Sequence, residues 1–243
     1  MKAKHLLTLS VIFSLFFISN IQSARFPNAD PINHCIDLSY VNMSYQFGYV
    51  DSNLAYGAFN GAPEISLFVN MLRCRYNIYV AIETGSLYGH TAAFLASIFN
   101  QVHTIEIVPT NYQVSQNTLY PFPNAVCHLG SSQEVLKELL PLLKEKSLFF
   151  YLDAHWNEYW PLLDELEEIS KTHKDNCIIV IDDIKVPGRP DIAYDAYAEH
   201  ECSYEYVRNA FDKIYSSYDY YFVLPRNLDS KAKLVVFPRN WSR

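Results

Sequence analysis

Half of the 243 residues are apolar, which is enough for one α/β domain with a sizeable core and too much for a disordered chain. The formal charge of −7 makes nucleic acid a poor partner, because an acidic surface repels phosphate backbones. Tyr is unusually frequent, at 19, and suits half-buried positions where the ring packs and the hydroxyl reaches water.

The chain opens on Lys2 and Lys4, an apolar run from Leu6 to Ile18, and the small residues Ser23 and Ala24. This is the layout of an export signal, and the run is shorter than the ~20 residues of a spanning helix. Residues 1–23 therefore read as a signal peptide, with an uncleaved signal anchor as the alternative. The expected location is exported (secreted, periplasmic or luminal), with membrane attachment only through this segment if it is retained. Residues 24–61 are turn-rich and aromatic and read as an N-terminal extension packing on the domain; residues 62–243 read as the domain.

From Ala62 a rhythm begins. Ala62 to Arg75 reads as a helix, Asn77 to Glu83 as a strand and Tyr88 to Phe99 as a helix. Val102 to Ile107 is a strand, Thr110 to Tyr120 a helix and Ala125 to Leu129 a short strand. Gln133 to Lys144 is an amphipathic helix with Leu136, Leu139, Leu140 and Leu143 on one face. Ser147 to Asp153 is a strand, Trp160 to Thr172 a helix, and Cys177 to Ile181 a strand ended by Asp182 and Asp183. Lys185 to Cys202 reads as a polar loop, with Tyr194, Asp195, Tyr197, Glu199 and His200 as candidates for an acceptor pocket or lid. Glu205 to Tyr215 is a helix, and Tyr220 to Leu224 and Lys233 to Phe237 are closing strands.

Alternation of this kind implies right-handed crossovers and a mostly parallel sheet. The runs LFFYL and CIIVI are apolar throughout, as in strands covered on both faces. The last two strands are joined by a segment too short for a crossover helix, so they are antiparallel to each other. The expected fold is α/β: a Rossmann-like, mostly parallel seven-stranded sheet with helices on both faces and a terminal antiparallel hairpin.

Cys35, Cys74, Cys127, Cys177 and Cys202 form no CxxC pair, so zinc is not indicated. Free thiols are the favoured reading, with one bridge, Cys35 to Cys202, as the alternative in an oxidising compartment. Asn42-Met-Ser44 and Asn240-Trp-Ser242 are glycosylation acceptors in a host that glycosylates exported proteins.

The segment Val80-Ala-Ile-Glu-Thr-Gly-Ser-Leu-Tyr-Gly-His-Thr91 carries the most chemistry. A buried strand ends in Glu83, turns through Gly85 and enters a helix near Gly89. Gly85 permits close approach to the backbone, and Gly89 permits close packing. The GxxxG spacing is not the GxGxxG of a dinucleotide site, and this disfavours a nicotinamide oxidoreductase. An acid beside the turn suits a cationic ligand better than a phosphate. Glu106 ends the next strand about 20 residues on, where a carboxylate accepts hydrogen bonds from ribose hydroxyls.

Five segments, IETGSLYGHTAAFLA, VHTIEIVPTNYQVSQNTL, HLGSSQEVLKELLP, YLDAHW and VIDDIKVPGRPDI, resemble in order and spacing the catechol O-methyltransferase-like enzymes, class I S-adenosylmethionine-dependent methyltransferases. The resemblance spans roughly residues 78–195. It implies S-adenosylmethionine as methyl donor. Glu83, Gly85 and Gly89 would surround its methionine part, with Ser86 and Thr91 also among the cofactor-binding residues. Glu106 and Ile107 would hold the ribose side, and Ser132 and Gln133 the adenine. Asp153, His155 and Trp156 would close the adenine pocket or the adjoining site.

The resemblance also implies Mg²⁺ held by Asp153, Asp182 and Asp183, since a hard cation takes carboxylate oxygens and would acidify and orient a substrate hydroxyl. Three departures stand out. Ala154 is an extra residue between Asp153 and His155, and Asn157 stands where the family has a catalytic Lys. Asp183 further replaces an Asn. His155 is then the candidate base, with a packing or adenine-contacting His as the plain alternative. Asp153 is the second catalytic candidate. The expected function is O-methylation of a small hydroxylated molecule; the alternative is an exported binding or interaction module on a methyltransferase fold. No oligomeric state follows from the sequence.

Overall fold

The computed structural model describes residues 35–37, 52–156, 159–197, 199–224 and 231–241. The expected signal or anchor at 1–23, Asn157, Asn42 and Ser242 lie outside the described residues. Among the described residues, no helix is long and apolar enough to cross a membrane.

The strands are β1 (Cys35–Asp37), β2 (Val80–Thr84), β3 (Gln101–Glu106), β4 (Ala125–Leu129), β5 (Leu148–Leu152), β6 (Cys177–Ile184), β7 (Ala196–Tyr197), β8 (His200–Glu201), β9 (Tyr218–Leu224) and β10 (Ala232–Pro238). The helices are α1 (Ser52–Gly57), α2 (Pro63–Tyr76), α3 (His90–Ile98), α4 (Pro109–Leu119), α5 (Ser132–Leu139), α6 (Leu162–Thr172) and α7 (Tyr204–Ile214). The main sheet has the order β1-β9-β10-β6-β5-β2-β3-β4. Strands β6, β5, β2, β3 and β4 are mutually parallel, and β10 is antiparallel to both β6 and β9. The seven expected strands and the terminal hairpin are present, and β1 adds a three-residue edge beside β9.

Central strands are apolar along their whole length because both faces are covered: β2 and β5 have no exposed residue. On one face, Leu136, Leu139, Leu140 and Leu143 pack with Phe150, Ile179, Leu166 and Phe211. The expected helix over 133–144 ends early as an α-helix, and Leu140–Leu143 is a 3₁₀ turn, because Pro141 has no N–H to continue the ladder. On the other face, Phe59 meets Phe94 and Tyr151 edge-on, with ring centroids 5.6 and 4.9 Å apart. Residues 52–61, read as part of the extension, thus supply α1 and a core aromatic. Ser203 caps α7, its hydroxyl accepting from the Tyr206 N–H at 3.3 Å.

Two expectations need correction. Strand β6 does not stop before the aspartates but runs through Asp182 and Asp183 to Ile184. Its register with β10 passes from Ile181↔Leu234 to Ile184↔Ala232, so two aspartates face Lys233 alone. This is a β-bulge, and Asp183 adopts φ 57° within it. The other correction concerns the thiols: all five cysteines are free, and Cys202 is buried with its thiol donating to the Asp182 carbonyl at 3.5 Å, so no Cys35–Cys202 bridge forms.

Candidate active site

The carboxyl ends of the parallel strands form one edge, and the loops leaving them carry nearly every residue singled out in the sequence. Gly85 and Ser86 both donate backbone N–H groups to the Ile105 carbonyl at 3.0 Å, stapling the glycine turn onto the end of β3. Glu106 completes the staple. One of its oxygens accepts from the Leu87 N–H and the other from the Val108 N–H, each at 2.8 Å. A carboxylate has about four lone-pair sites, so each oxygen keeps acceptor capacity for a further hydroxyl.

Glu83 is buried on the neighbouring strand and accepts from Thr104, which is bonded to Ser86, which in turn contacts Cys127 at 3.8 Å. Burial pushes the Glu83 carboxyl up to about 8, with the Thr104 hydroxyl opposing this and Glu106 adding to it. Glu83 is thus an acid whose ionisation calls for a cation.

The two glycines have separate reasons. A Cβ on Gly85, at φ 83°, would lie 2.7 Å from the Asp153 carbonyl oxygen and 3.2 Å from Ala154 Cα. The close approach is therefore to the chain leaving β5, and the extra residue Ala154 is part of that contact. A Cβ on Gly89, at φ 80°, would meet the Ser115 hydroxyl at 2.7 Å, so this glycine lets α3 pack on α4. Thr91 accepts from the Phe59 N–H at 2.9 Å and ties down the segment after α1. Ile107 is 41% exposed at the strand end.

At the start of α5, the Ser131 and Ser132 hydroxyls and Gln133 Oε1 are buried without a hydrogen-bond partner among the described residues. The Gln133 amide NH₂ donates to the Tyr159 hydroxyl at 3.1 Å. Fully buried Glu165 approaches Ser132 and Thr84 without a well-formed bond to either, and burial pushes it up to about 7. Buried polar atoms without partners are costly unless something else completes them. Their grouping beside the glycine turn fits a polar, partly cationic nucleoside such as S-adenosylmethionine.

The second half of the edge is a solvent-open recess of about 240 Å³ between the ends of β5 and β6. Asp153, His155, Trp160, Asp183, Asp195 and Tyr197 are among its walls. His155 is exposed and stacks on Tyr197 at 4.9 Å and 16°. No hydrogen bond orients its ring among the described residues. Trp160 lies flat on Tyr206 at 4.9 Å. Trp156, 43% exposed, pairs backbone groups with Tyr159 beyond the recess. The polar loop after β6 contains the small β7–β8 hairpin; Glu201 on β8 and Tyr194 just before β7 hold Lys185, so that lysine is engaged away from the recess acids.

Asp153, Asp182 and Asp183 are brought together as expected, but with lysines the sequence reading passed over. Lys233, 3% exposed, is paired with Asp182 and lies 3.9 Å from Asp183. Lys231 bonds Asp183 at 2.7 Å and also holds Asp195, whose other oxygen accepts from Tyr197 at 2.6 Å. Asp182 is further saturated by the Tyr151 hydroxyl and by the Asp183 N–H at 2.6 Å. Burial works against Asp182's charge, but Lys233 and the hydrogen bonds from Asp183 and Tyr151 together outweigh it and hold this carboxyl below its usual range. Burial and then Asp182 push Asp183 up to about 7, and burial, Asp182 and Asp183 raise Asp153 well above a normal carboxylate. Asp153 alone of the four has no side-chain partner among the described residues.

This donor set does not fit Mg²⁺ as the resemblance implied. Mg²⁺ keeps several waters and needs open carboxylate oxygens at about 2.0–2.1 Å. Both oxygens of Asp182 already accept from protein donors, and two ammonium groups stand where the ion's charge would be placed. No group of three or more metal-type side chains suited to an ion is found among the described residues. The signal for the lysines was present in the sequence: Lys233 opens an otherwise apolar strand, and a buried lysine has to meet an acid.

No known family profile matches the chain, and no curated protein does. Solved structures do. The O-methyltransferase TomG of Streptomyces achromogenes, solved with S-adenosylmethionine, is 13% identical over 98% of both chains, with a TM-score of 0.55. A Bacillus cereus O-methyltransferase solved with S-adenosylhomocysteine is 13% identical over 90% of this chain and 94% of its own, at 0.53. An O-methyltransferase assigned in Klebsiella pneumoniae matches at 13% identity over 90% and 95%, at 0.54. At these identities the likeness establishes the fold, that of class I methyltransferases.

Proposed function

We propose that the chain is an S-adenosylmethionine-dependent methyltransferase acting on a hydroxyl of a small molecule. The observation that carries the reading is the meeting of the two half-sites at Asp153. Its backbone N–H donates to the Thr84 carbonyl at 3.1 Å, its carbonyl backs onto Gly85, and its side chain lines the recess. A donor held along the glycine turn would therefore point into the recess.

Glu83 would hold the donor's ammonium group, Glu106 its ribose hydroxyls, and Ser132 and Gln133 its base, with Ile107 and Trp156 as apolar cover. When bound, the donor supplies a methyl group on a cationic sulfur that needs positioning more than further activation. Trp160 and Tyr197 offer aromatic walls to a planar acceptor. A ring nitrogen of His155 receives the acceptor's hydroxyl proton, while Asp153, keeping its own proton, donates a hydrogen bond to the acceptor oxygen. The first 23 residues remain an export signal or anchor in this reading; the first 30 fused to a reporter leave the cytosol if so, and cytosolic retention rejects it.

Calorimetric titration of the full chain with S-adenosylmethionine tests the reading. Saturable binding weakened by Glu106→Ala is expected. No heat at ~1 mM donor would remove the enzyme and leave the binding module.

A further inference from the structure

We propose that Lys231 and Lys233 are the resident cations of the acceptor half-site, built into the fold where a divalent ion would otherwise be needed. The inference goes beyond methyl transfer and rests on that reading only in calling the recess the acceptor half-site; the ion-binding test below does not need it. Three acids, Asp182, Asp183 and Asp195, converge at one end of the β6–β10 pair, and like charges this close require neutralisation. The last hairpin provides it. Its lysines sit at alternate positions two residues apart, one buried against Asp182 and one at the rim, joining Asp183 to Asp195. The Lys233 ammonium also donates to the Lys231 carbonyl at 3.4 Å, so one stretch of backbone orders both cations.

The β-bulge is what makes this arrangement possible. Two residues of β6 stand opposite Lys233, so both carboxylates turn toward one ammonium instead of opposite faces of the sheet. Asp183 accepts a left-handed backbone to do so, which Asp tolerates better than most residues. Lys231 further links the sheet to the loop before β7, since Asp195 also donates its N–H to the Asp183 carbonyl at 3.1 Å. The lysines thus both neutralise the acids and position the recess wall that carries Tyr197.

Mn²⁺ alone, titrated into the full chain and followed by its paramagnetic resonance signal, tests this. The unaltered protein should leave the signal of the free ion intact up to ~1 mM. The Lys231→Met/Lys233→Met double variant should gain a site, binding Mn²⁺ at least ~10-fold more tightly, and Asp182→Asn should abolish the gain. If the double variant does not fold, Lys231→Met alone frees Asp183 from a lysine that is 30% exposed, and it should show the same gain to a smaller degree. Tight Mn²⁺ binding by the unaltered protein, lost in Asp182→Asn, would overturn the proposal. So would folded lysine variants that acquire no affinity for the ion.

Discussion

At the ends of β2, β3 and β4, polar atoms lie buried with partners missing: Ser132, Gln133 Oε1 and Glu165 are unpaired, and Glu83 is held uncharged by burial. At the ends of β5 and β6 the reverse holds, and among the described acids only Asp153 is without a partner, the others being held by lysines from the last hairpin. The same sheet edge therefore carries one half that a ligand must complete and one half that the chain completes itself. Unpaired buried groups indicate where binding energy can be gained, and fully paired ones indicate where removal of a partner does most damage.

Lys233→Met breaks the comparison most severely. It leaves Asp182 charged, buried and unmatched, a loss of ~3–5 kcal/mol in denaturant unfolding. Adding Asp182→Asn should recover much of this, because the uncompensated charge goes and Asn can still accept from Tyr151. A loss under ~1 kcal/mol would mean that the pair is solvated and the self-completed half is not closed.

Gly85→Ala acts on the boundary between the halves. The new Cβ meets the Asp153 carbonyl in a left-handed backbone, so about 1–3 kcal/mol should be lost, together with donor affinity. Gly57→Ala is the control: nothing lies within 4 Å of its Cβ, it ends a helix with no positive φ, and its stability change should be small. Equal effects would remove the argument that β5 packs directly on the glycine turn.

Glu106→Gln tests the ligand-dependent half. One oxygen is exchanged for an NH₂ that cannot accept from Leu87 or Val108, so one loop staple is lost at about 1–2 kcal/mol. Donor affinity should fall by ~10-fold while Mn²⁺ indifference is retained. Loss of stability without loss of donor affinity would make Glu106 a loop brace only.

The donor half was far more legible in the sequence than the acceptor half, for a physical reason. Glycine turn, strand-end acids and amphipathic helices are local patterns: β2 to α4 runs within 40 residues, and apolar periodicity fixes each element there to within about three residues. The lysines lie about 50 residues beyond Asp182 and Asp183, across an antiparallel pairing that no local pattern specifies. Reading Asp182 and Asp183 as the end of a strand followed from their charge; only the partner on β10 lets a strand continue through them. The edge strand β1 is three residues long, and α1 six, both too short for periodicity to register. Phe59 shows the same limit: its core position depends on Phe94 and Tyr151, not on its neighbours in the chain.

The pH dependence of Glu83 is the sharpest test of what the unpaired half is for. Glu83 is raised from an unfolded value near ~4.3 to about 8, so the folded protein binds its proton more tightly than the unfolded chain. By linkage, this group lowers stability as pH rises from ~4.3 to 8, with a slope of at most ~1.4 kcal/mol per pH unit, and has no further effect above 8. Glu83→Gln removes the slope, so the variant should match the parent near pH 4 and exceed it at pH 8. A bound ammonium group would reverse the balance, since an adjacent cation favours the carboxylate. Donor binding at pH 7 should then release up to about one proton. Calorimetry in two buffers of different ionisation enthalpy measures this directly. Release of no proton at pH 7 would place the donor's ammonium group elsewhere, and Glu83 would then serve the Thr104–Ser86 chain and not the ligand.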